Sequence, residues 1–270
     1  MSGESNISES KPEPRAAIIT GAARGIGRAI AIQLAEDGFD ITLNDLQSNS
    51  QALSEVVQEV KSKGRKAIVV NGDVSKEEFV KELVDTTVSE LGHLHVMVAN
   101  AGVANLLGSQ IVDGEISLEE WRRILTVNLD GVFLCYRAAA RQMLKQGRGG
   151  RIIGASSAFG KRGYAGVAPY CTSKFGVRGL TQALAAELAP TGITVNAYAP
   201  GYIKTAMLTG DTEEEKAKWP MNFERTVKAT PMQRLGTPEE IAGLVSYLAS
   251  DKASFITGQS VSINGGLFFD

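Results

Sequence analysis

The stretch Ala16-Ala17-Ile18-Ile19-Thr20-Gly21-Ala22-Ala23-Arg24-Gly25-Ile26-Gly27 is an apolar run that ends at once in closely spaced glycines, and residues 28–36 then carry apolar side chains at helical spacing. This pattern is a strand, a tight turn and a helix. It recurs along the chain. Apolar runs at 41–44 and 67–71 precede helical patterns at 50–63 and 76–91, and a run at 96–99 precedes a longer irregular stretch. The second half continues with an amphipathic 118–146, a run at 151–155, a helical 170–188, a run at 193–199, a helical 238–250 and a last run at 260–263. Such alternation predicts a parallel sheet covered by helices on both faces. The expectation is a single doubly wound α/β domain over 15–270 with about seven strands. The segment 202–232, with Gly210, the acidic run Glu213 to Glu215, Trp219 and Pro231, breaks the rhythm. It reads as an inserted substrate loop, because regular connections in α/β units are short.

Hydrophobic residues at 43% and charged residues at 21% are those of an ordinary packed globular domain. A formal net charge of −2 provides no basic field for gathering polyanions, so neither nucleic acid nor an anionic membrane is expected as a partner. No apolar run approaches the roughly 18 residues that span a bilayer. Residues 1–14 are polar and include Pro12 and Pro14, without a cationic start or an apolar core. They are expected to form a disordered tail, and the protein is expected to be cytoplasmic. Cys135 and Cys171 lack zinc or redox spacing and read as free thiols, while the only histidines, His93 and His95, read as strand-edge residues. No metal site is expected.

The turn Gly21 to Gly27 follows the spacing TGxxxGxG rather than GxGxxG, so it could be a generic turn. Its place between strand and helix favours a phosphate cradle. Glycines let the backbone approach a pyrophosphate, and the helix start offers unpaired N–H groups and a positive dipole end. Gly21, Arg24, Gly25, Ile26 and Gly27 are the candidate contacts. Asp45-Leu46 closes the second strand, where a carboxylate accepts hydrogen bonds from adenosine ribose hydroxyls and repels a 2′-phosphate, which favours NAD. Arg24 complicates this, since a cation in the turn could pair with that phosphate. Asp73-Val74 could cover the adenine, although an aspartate at a strand end is also a common helix N-cap. Asn100-Ala101-Gly102 ends the fourth strand with small residues that would let the backbone lie against the cofactor.

Tyr170 and Lys174 stand four apart at the start of a predicted helix and so project from one face. A tyrosine is a poor acid or base near neutral pH, and a close ammonium lowers its pKa by favouring the phenolate. Ser157, 13 residues before Tyr170, could donate to a substrate carbonyl oxygen beside it. Each alone could be mere packing or a solvated surface group. Ser157, Tyr170 and Lys174, joined to the glycine turn, Asp45 and Asn100-Ala101-Gly102, resemble the short-chain dehydrogenase/reductase family from about Ala16 onward.

That resemblance implies a Rossmann-type oxidoreductase in which Tyr170 is the general acid/base and Ser157 orients the carbonyl. Lys174 lowers the tyrosine's pKa and holds the nicotinamide ribose. It also implies that Asn128 kinks its helix and holds a water near the lysine. Pro200-Gly201-Tyr202-Ile203-Lys204-Thr205 would meet the nicotinamide, with Ile203 and Thr205 the chosen contacts. Segments around Ser173 to Gln182, Gly192 to Asn196 and Thr257 to Ser260 resemble the diacetyl/acetoin reductase (2,3-butanediol dehydrogenase) branch. They are mostly scaffold, so substrate specificity is expected from 157–170 and 202–232, where Phe159, Tyr164, Val167, Met207, Leu208, Trp219, Met221 and Phe223 offer apolar surface. The expected substrate is a small secondary alcohol or ketone, acetoin-like or larger. A 3-oxoacyl-carrier-protein reductase, a polyol or sugar dehydrogenase and a non-catalytic NAD(H)-binding scaffold stay open. The resemblance further implies a homotetramer built on the helices at 118–146 and 170–188.

Overall fold

The computed structural model describes residues 15–104, 110–209 and 223–269. The expected tail at 1–14 lies outside them, as do Gly210, Glu213 to Glu215, Trp219 and Met221 of the expected loop. Seven strands, β1 (Arg15–Thr20), β2 (Phe39–Asn44), β3 (Ala67–Val69), β4 (Val96–Ala99), β5 (Gly150–Ala155), β6 (Ile193–Pro200) and β7 (Ser260–Ile263), form one sheet in the order β3-β2-β1-β4-β5-β6-β7. Every pairing is parallel. This is the doubly wound Rossmann-type sheet read from the alternating pattern.

The helices are α1 (Gly25–Glu36), α2 (Ser50–Ser62), α3 (Glu77–Leu91), α4 (Leu118–Leu125), α5 (Gly131–Gln146), α6 (Ala168–Leu188), α7 (Ala206–Thr209), α8 (Phe223–Ala229) and α9 (Pro238–Ala249). Successive strand residues point to opposite faces. Ala17 and Ile19 of β1 accordingly pack with Ile30 and Leu34 of α1, Leu53 of α2 and Ile241 and Val245 of α9. Ile18 packs on the other face with Leu83 of α3, Tyr136 and Met143 of α5 and Val177 of α6. Burial on both faces explains why β1, β2 and β6 are nearly continuous buried runs rather than alternating ones. The strand order reverses beside β1, which is where such sheets open a crevice at their carboxyl ends.

The structure refines several boundaries. α1 starts at Gly25, inside the glycine turn, and α6 starts at Ala168, which puts Tyr170 in its first turn. The pattern at 118–146 is two helices joined by a π-helical turn, Thr126–Asp130. Such turns insert a residue into the helical ladder and cluster at functional sites. Asn128, in the middle of this one, ties its side chain to the backbone of Val103 and so holds the bulge in place. His95 borders β4, its Nδ1 accepting from the Ala16 N–H at 3.1 Å. Cys135 and Cys171 are buried free thiols, and burial pushes the Cys135 thiol up to about 12. Among the described residues no helix is long and apolar enough to cross a membrane.

Gly154 of β5 lies under the buried Tyr136, whose hydroxyl meets Thr181 Oγ1 at 3.1 Å and the Asn196 carbonyl at 3.4 Å. A Cβ on Gly154 would stand 2.1 Å from that hydroxyl. Gly154→Ala is therefore expected to cost about 1–3 kcal/mol by overpacking, read as a lower thermal unfolding midpoint, and an unchanged midpoint would contradict this packing.

Candidate active site

At the carboxyl ends of the strands the chain encloses a cleft of about 1100 Å³. Its walls include Gly21, Arg24, Gly25, Ile26, Gly27, Asp45, Leu46, Asp73, Val74, Asn100, Ala101, Gly102, Pro200, Gly201, Ile203 and Thr205, together with Ser157, Tyr170 and Lys174. All the candidate cofactor contacts are thus gathered on one surface. Asn128 stands behind that wall.

The glycine turn is built for close approach. Gly21 and Gly25 have φ of +65° and +55°, and a Cβ on Gly27 would lie 2.1 Å from the Gly21 carbonyl oxygen. Arg24, the N-cap of α1, makes no side-chain cap, so the first turn of the helix offers its N–H groups to the cleft. Thr20 Oγ1 accepts from the N–H groups of Asn100 and Ala101, each at 3.0 Å. Asn100 Nδ2 donates back to the carbonyls of Thr20 at 2.8 Å and Gly21 at 3.2 Å, and Tyr198 Oη donates to Asn100 Oδ1 at 2.7 Å. By sequence, Thr20 opens the TGxxxGxG turn and Tyr198 lies in a strand run. Nothing in a strand pattern shows that two strand ends are cross-tied.

The Asp45 carboxylate accepts from Ala23 N at 3.1 Å, Leu46 N at 2.8 Å and Asn49 Nδ2 at 2.7 Å, which fixes it beside the glycine turn. Asn49 had no signal of its own. Arg24 is exposed on the same cleft. Asp73 is not a helix N-cap, since Lys76 holds that position in α3; its Oδ1 accepts from Ser75 N at 2.9 Å. Thr205 Oγ1 donates to the Ile203 carbonyl at 3.4 Å, and its methyl faces Gly25, 3.3 Å from where a Cβ would stand. Glycine torsions at the turn, open helix N–H groups and an oriented carboxylate one strand away fit a dinucleotide. The cleft is larger than the roughly 300–1000 Å³ of ordinary small-molecule pockets.

Ser157 and Tyr170 line the cleft together, the Ser157 hydroxyl near enough to the phenol to favour its ionised form. Ser157 Oγ accepts from Phe159 N at 3.1 Å, which sets its direction. Lys174 is 3% exposed; its ammonium donates to the Ala155 carbonyl at 2.8 Å and lies 5.5 Å from the centre of the Tyr170 ring. Asn128 Nδ2 donates to the Val103 carbonyl at 2.8 Å and to Ser173 Oγ at 3.2 Å, while its Oδ1 accepts from Val103 N at 2.8 Å. Its Oδ1 and the Lys174 ammonium converge on Gly102, 3.2 and 3.5 Å from where a Cβ would stand.

Burial shapes the electrostatics more than the sequence suggests. From the i, i+4 spacing, Lys174 is expected to lower the Tyr170 pKa. In the structure, desolvation instead pushes the phenol up, opposed by the Ser157 hydroxyl, and pulls the Lys174 ammonium down to about 8. The phenol is thus a protonated acid at neutral pH.

Comparison with known proteins places this geometry. A sequence model described as enoyl-(acyl carrier protein) reductase matches residues 21–268. A short-chain dehydrogenase/reductase of Armillaria gallica is 46% identical over 97% of this chain and 99% of its own length. The chain belongs to the short-chain dehydrogenase/reductase family. It is therefore an oxidoreductase, and members of this family generally use a nicotinamide cofactor. It is also similar to a 3-oxoacyl-[acyl-carrier-protein] reductase of Staphylococcus epidermidis, 41% identical over 94% of this chain and 99% of that one. Among solved structures, the acetoin dehydrogenase of Salmonella typhimurium superposes with a TM-score of 0.82 at 35% identity, covering 94% of this chain and 96% of that one.

Lys174 titrates lower in the folded chain, about 8, than the roughly 10.4 of an unfolded lysine. Between those values the unfolded state binds more protons, so folding gains stability as pH rises through this window. The cofactor-free protein should therefore gain thermal stability relative to Lys174→Met from pH 7 to pH 10. Parallel curves for the two proteins would show that the lysine is not desolvated.

Proposed function

We propose that this chain is an NAD(H)-dependent oxidoreductase that interconverts a secondary alcohol and a ketone. The observation that carries the reading is the gathering of Ser157, Tyr170 and the buried Lys174 in the same cleft that holds the oriented Asp45 carboxylate. A bound nicotinamide supplies or accepts the hydride. Gly21, Gly25, Ile26 and Gly27 would hold its pyrophosphate and Asp45 its adenosine ribose. Val74 and Ala101 would flank the adenine side, and Ile203, Thr205 and Lys174 the nicotinamide end.

The chain's own part is proton chemistry. Ser157 Oγ donates to the carbonyl oxygen and fixes its position. Tyr170, kept protonated by burial, hands its proton to that oxygen as the alcohol forms. The Lys174 ammonium beside the ring favours the phenolate that remains, and Asn128 holds Val103 and Ser173 so that the lysine and Gly102 stay in contact. In the direction of oxidation the same phenolate takes the proton back.

The similarity to an acetoin dehydrogenase supports a small ketone or its alcohol as substrate. The similarity to a 3-oxoacyl reductase supports a second reading, reduction of a 3-oxoacyl thioester. The Asp45 carboxylate weighs against the 2′-phosphate of NADPH and so favours the first. A panel of diacetyl, acetoin, simple ketones and acetoacetyl thioester, each with NADH and NADPH, separates the two.

Tyr170→Phe should abolish turnover, by a factor of at least about 10², while leaving the affinity for NADH within about twofold, measured by fluorescence titration. Substantial residual turnover would sink the mechanism. Asp45→Ala should raise kcat/KM with NADPH relative to NADH, because it removes the repulsion of a 2′-phosphate. An unmoved ratio would assign the choice to another group, such as Arg24.

A further inference from the structure

Four aromatic rings crowd the substrate end of the cleft, and Phe159 is their hub. Its ring stacks on Tyr164 with centroids 5.1 Å apart at 27°, and meets Tyr202 at 6.1 Å and Tyr170 at 6.4 Å, both edge-on. On this cluster lies a second hollow of about 200 Å³, walled by Phe159, Tyr164, Tyr202, Leu267 and Phe268 among others. Phe159, Tyr164, Ala165 and Tyr202 line both this hollow and the main cleft, so the two adjoin. Arg162 brings the one charged side chain to its described lining.

We infer that this hollow is a subsite for one aromatic ring, and that the substrate is a ketone or secondary alcohol carrying an aryl group close to the reacting carbon. The inference rests on the ketone-reductase reading above and narrows its substrate class. Size is the first reason. An apolar cavity of roughly 150 Å³ takes up benzene, so this hollow has room for a single ring. Its chemistry is the second. Aromatic pairs gain from stacked and edge-to-face contacts at centroid distances of about 4.5–7 Å, and the Phe159 cluster already presents both geometries to whatever enters. Reach is the third. Phe159 walls the hollow and meets the Tyr170 ring edge-on with centroids 6.4 Å apart, so the hollow lies one side chain away from the group that would hold the carbonyl. A methyl-for-methyl substrate such as acetoin would leave the hollow unfilled.

Gly163 makes the inference testable. It lines the hollow and not the main cleft, and a Cβ there meets nothing within 4 Å, so a larger side chain is accommodated at the hollow's rim without backbone conflict. Wild type, Gly163→Leu and, as a second probe that removes a wall, Phe268→Ala are to be assayed with propiophenone and with 2-butanone. The expected result is a wild-type kcat/KM for propiophenone at least about tenfold above that for 2-butanone, with the ratio falling about tenfold or more in either variant. A wild-type ratio near one, or a ratio that neither folded variant moves, overturns the subsite and leaves the reductase reading intact. If neither of these ketones nor any member of the panel above is reduced with NADH or NADPH, the reductase reading fails by itself. Calorimetric titration with propiophenone then decides the subsite: binding weakened by Gly163→Leu sustains it, and absence of binding overturns it.

Discussion

The amide of Asn100 is the tie on which the cleft depends. It donates to the carbonyls of Thr20 and Gly21, and its own oxygen is held by the Tyr198 hydroxyl, so the carboxyl ends of β1, β4 and β6 are locked to one another. The tie works only because the turn carries no side chain at the two positions that face it, Gly21 and Gly27. A Cβ on Gly21 would stand 3.0 Å from both Ala101 Cα and Asn100 Nδ2, and one on Gly27 would lie 2.6 Å from that same nitrogen. With the turn pinned, the start of α1 points its N–H groups into the cleft and Ala23 reaches the Asp45 carboxylate. The glycine turn and the Asp45 carboxylate are therefore set by one polar network. Partly satisfied networks of this kind are costly, and here each member has its partner.

The chemistry end depends on a second close approach. The short turn at 158–160 packs directly on α6, where a Cβ on Gly160 would meet the Lys174 carbonyl oxygen at 2.6 Å. Ser156 Oγ donates to that same carbonyl at 3.0 Å. This contact brings Ser157, at the end of β5, onto the first turn of α6 and so to Tyr170. It also buries Lys174, whose ammonium gives up water for the Ala155 carbonyl and falls to about 8. Desolvation raises the phenol above 10.0 and lowers the ammonium to about 8, so the two titrations move apart and the phenol stays protonated where the lysine has begun to lose its charge.

Much of this was legible in the chain. Alternating apolar runs and helical patterns are local properties, and the sheet follows from them because parallel strands need helical crossovers. The glycine turn, Asp45, Ser157, Tyr170 and Lys174 were legible because each occupies a fixed offset from a strand end or helix start, and the parallel sheet brings all strand ends to one rim. The π-helical turn at 126–130 was not legible. Its cause is the bond from Asn128 to Val103, 25 residues away. Nor was the direction of the Tyr170 shift: the i, i+4 spacing shows that an ammonium is near, but not that both groups are stripped of water.

The sequence by itself determined the order of elements, the glycine positions where the backbone must turn or come close, and the set of side chains able to pass a proton. Those follow from bonding, torsion and spacing within short stretches. Only the tertiary structure decided how these groups are tied and how they titrate. The links from Tyr198 to Asn100, from Asn49 to Asp45 and from Asn128 to Val103 join distant strands, or loops whose path no periodicity specifies. It also decided the aromatic hollow beside Phe159, because Tyr164, Tyr202 and Phe268 come from three separate loops that meet only when the sheet has assembled.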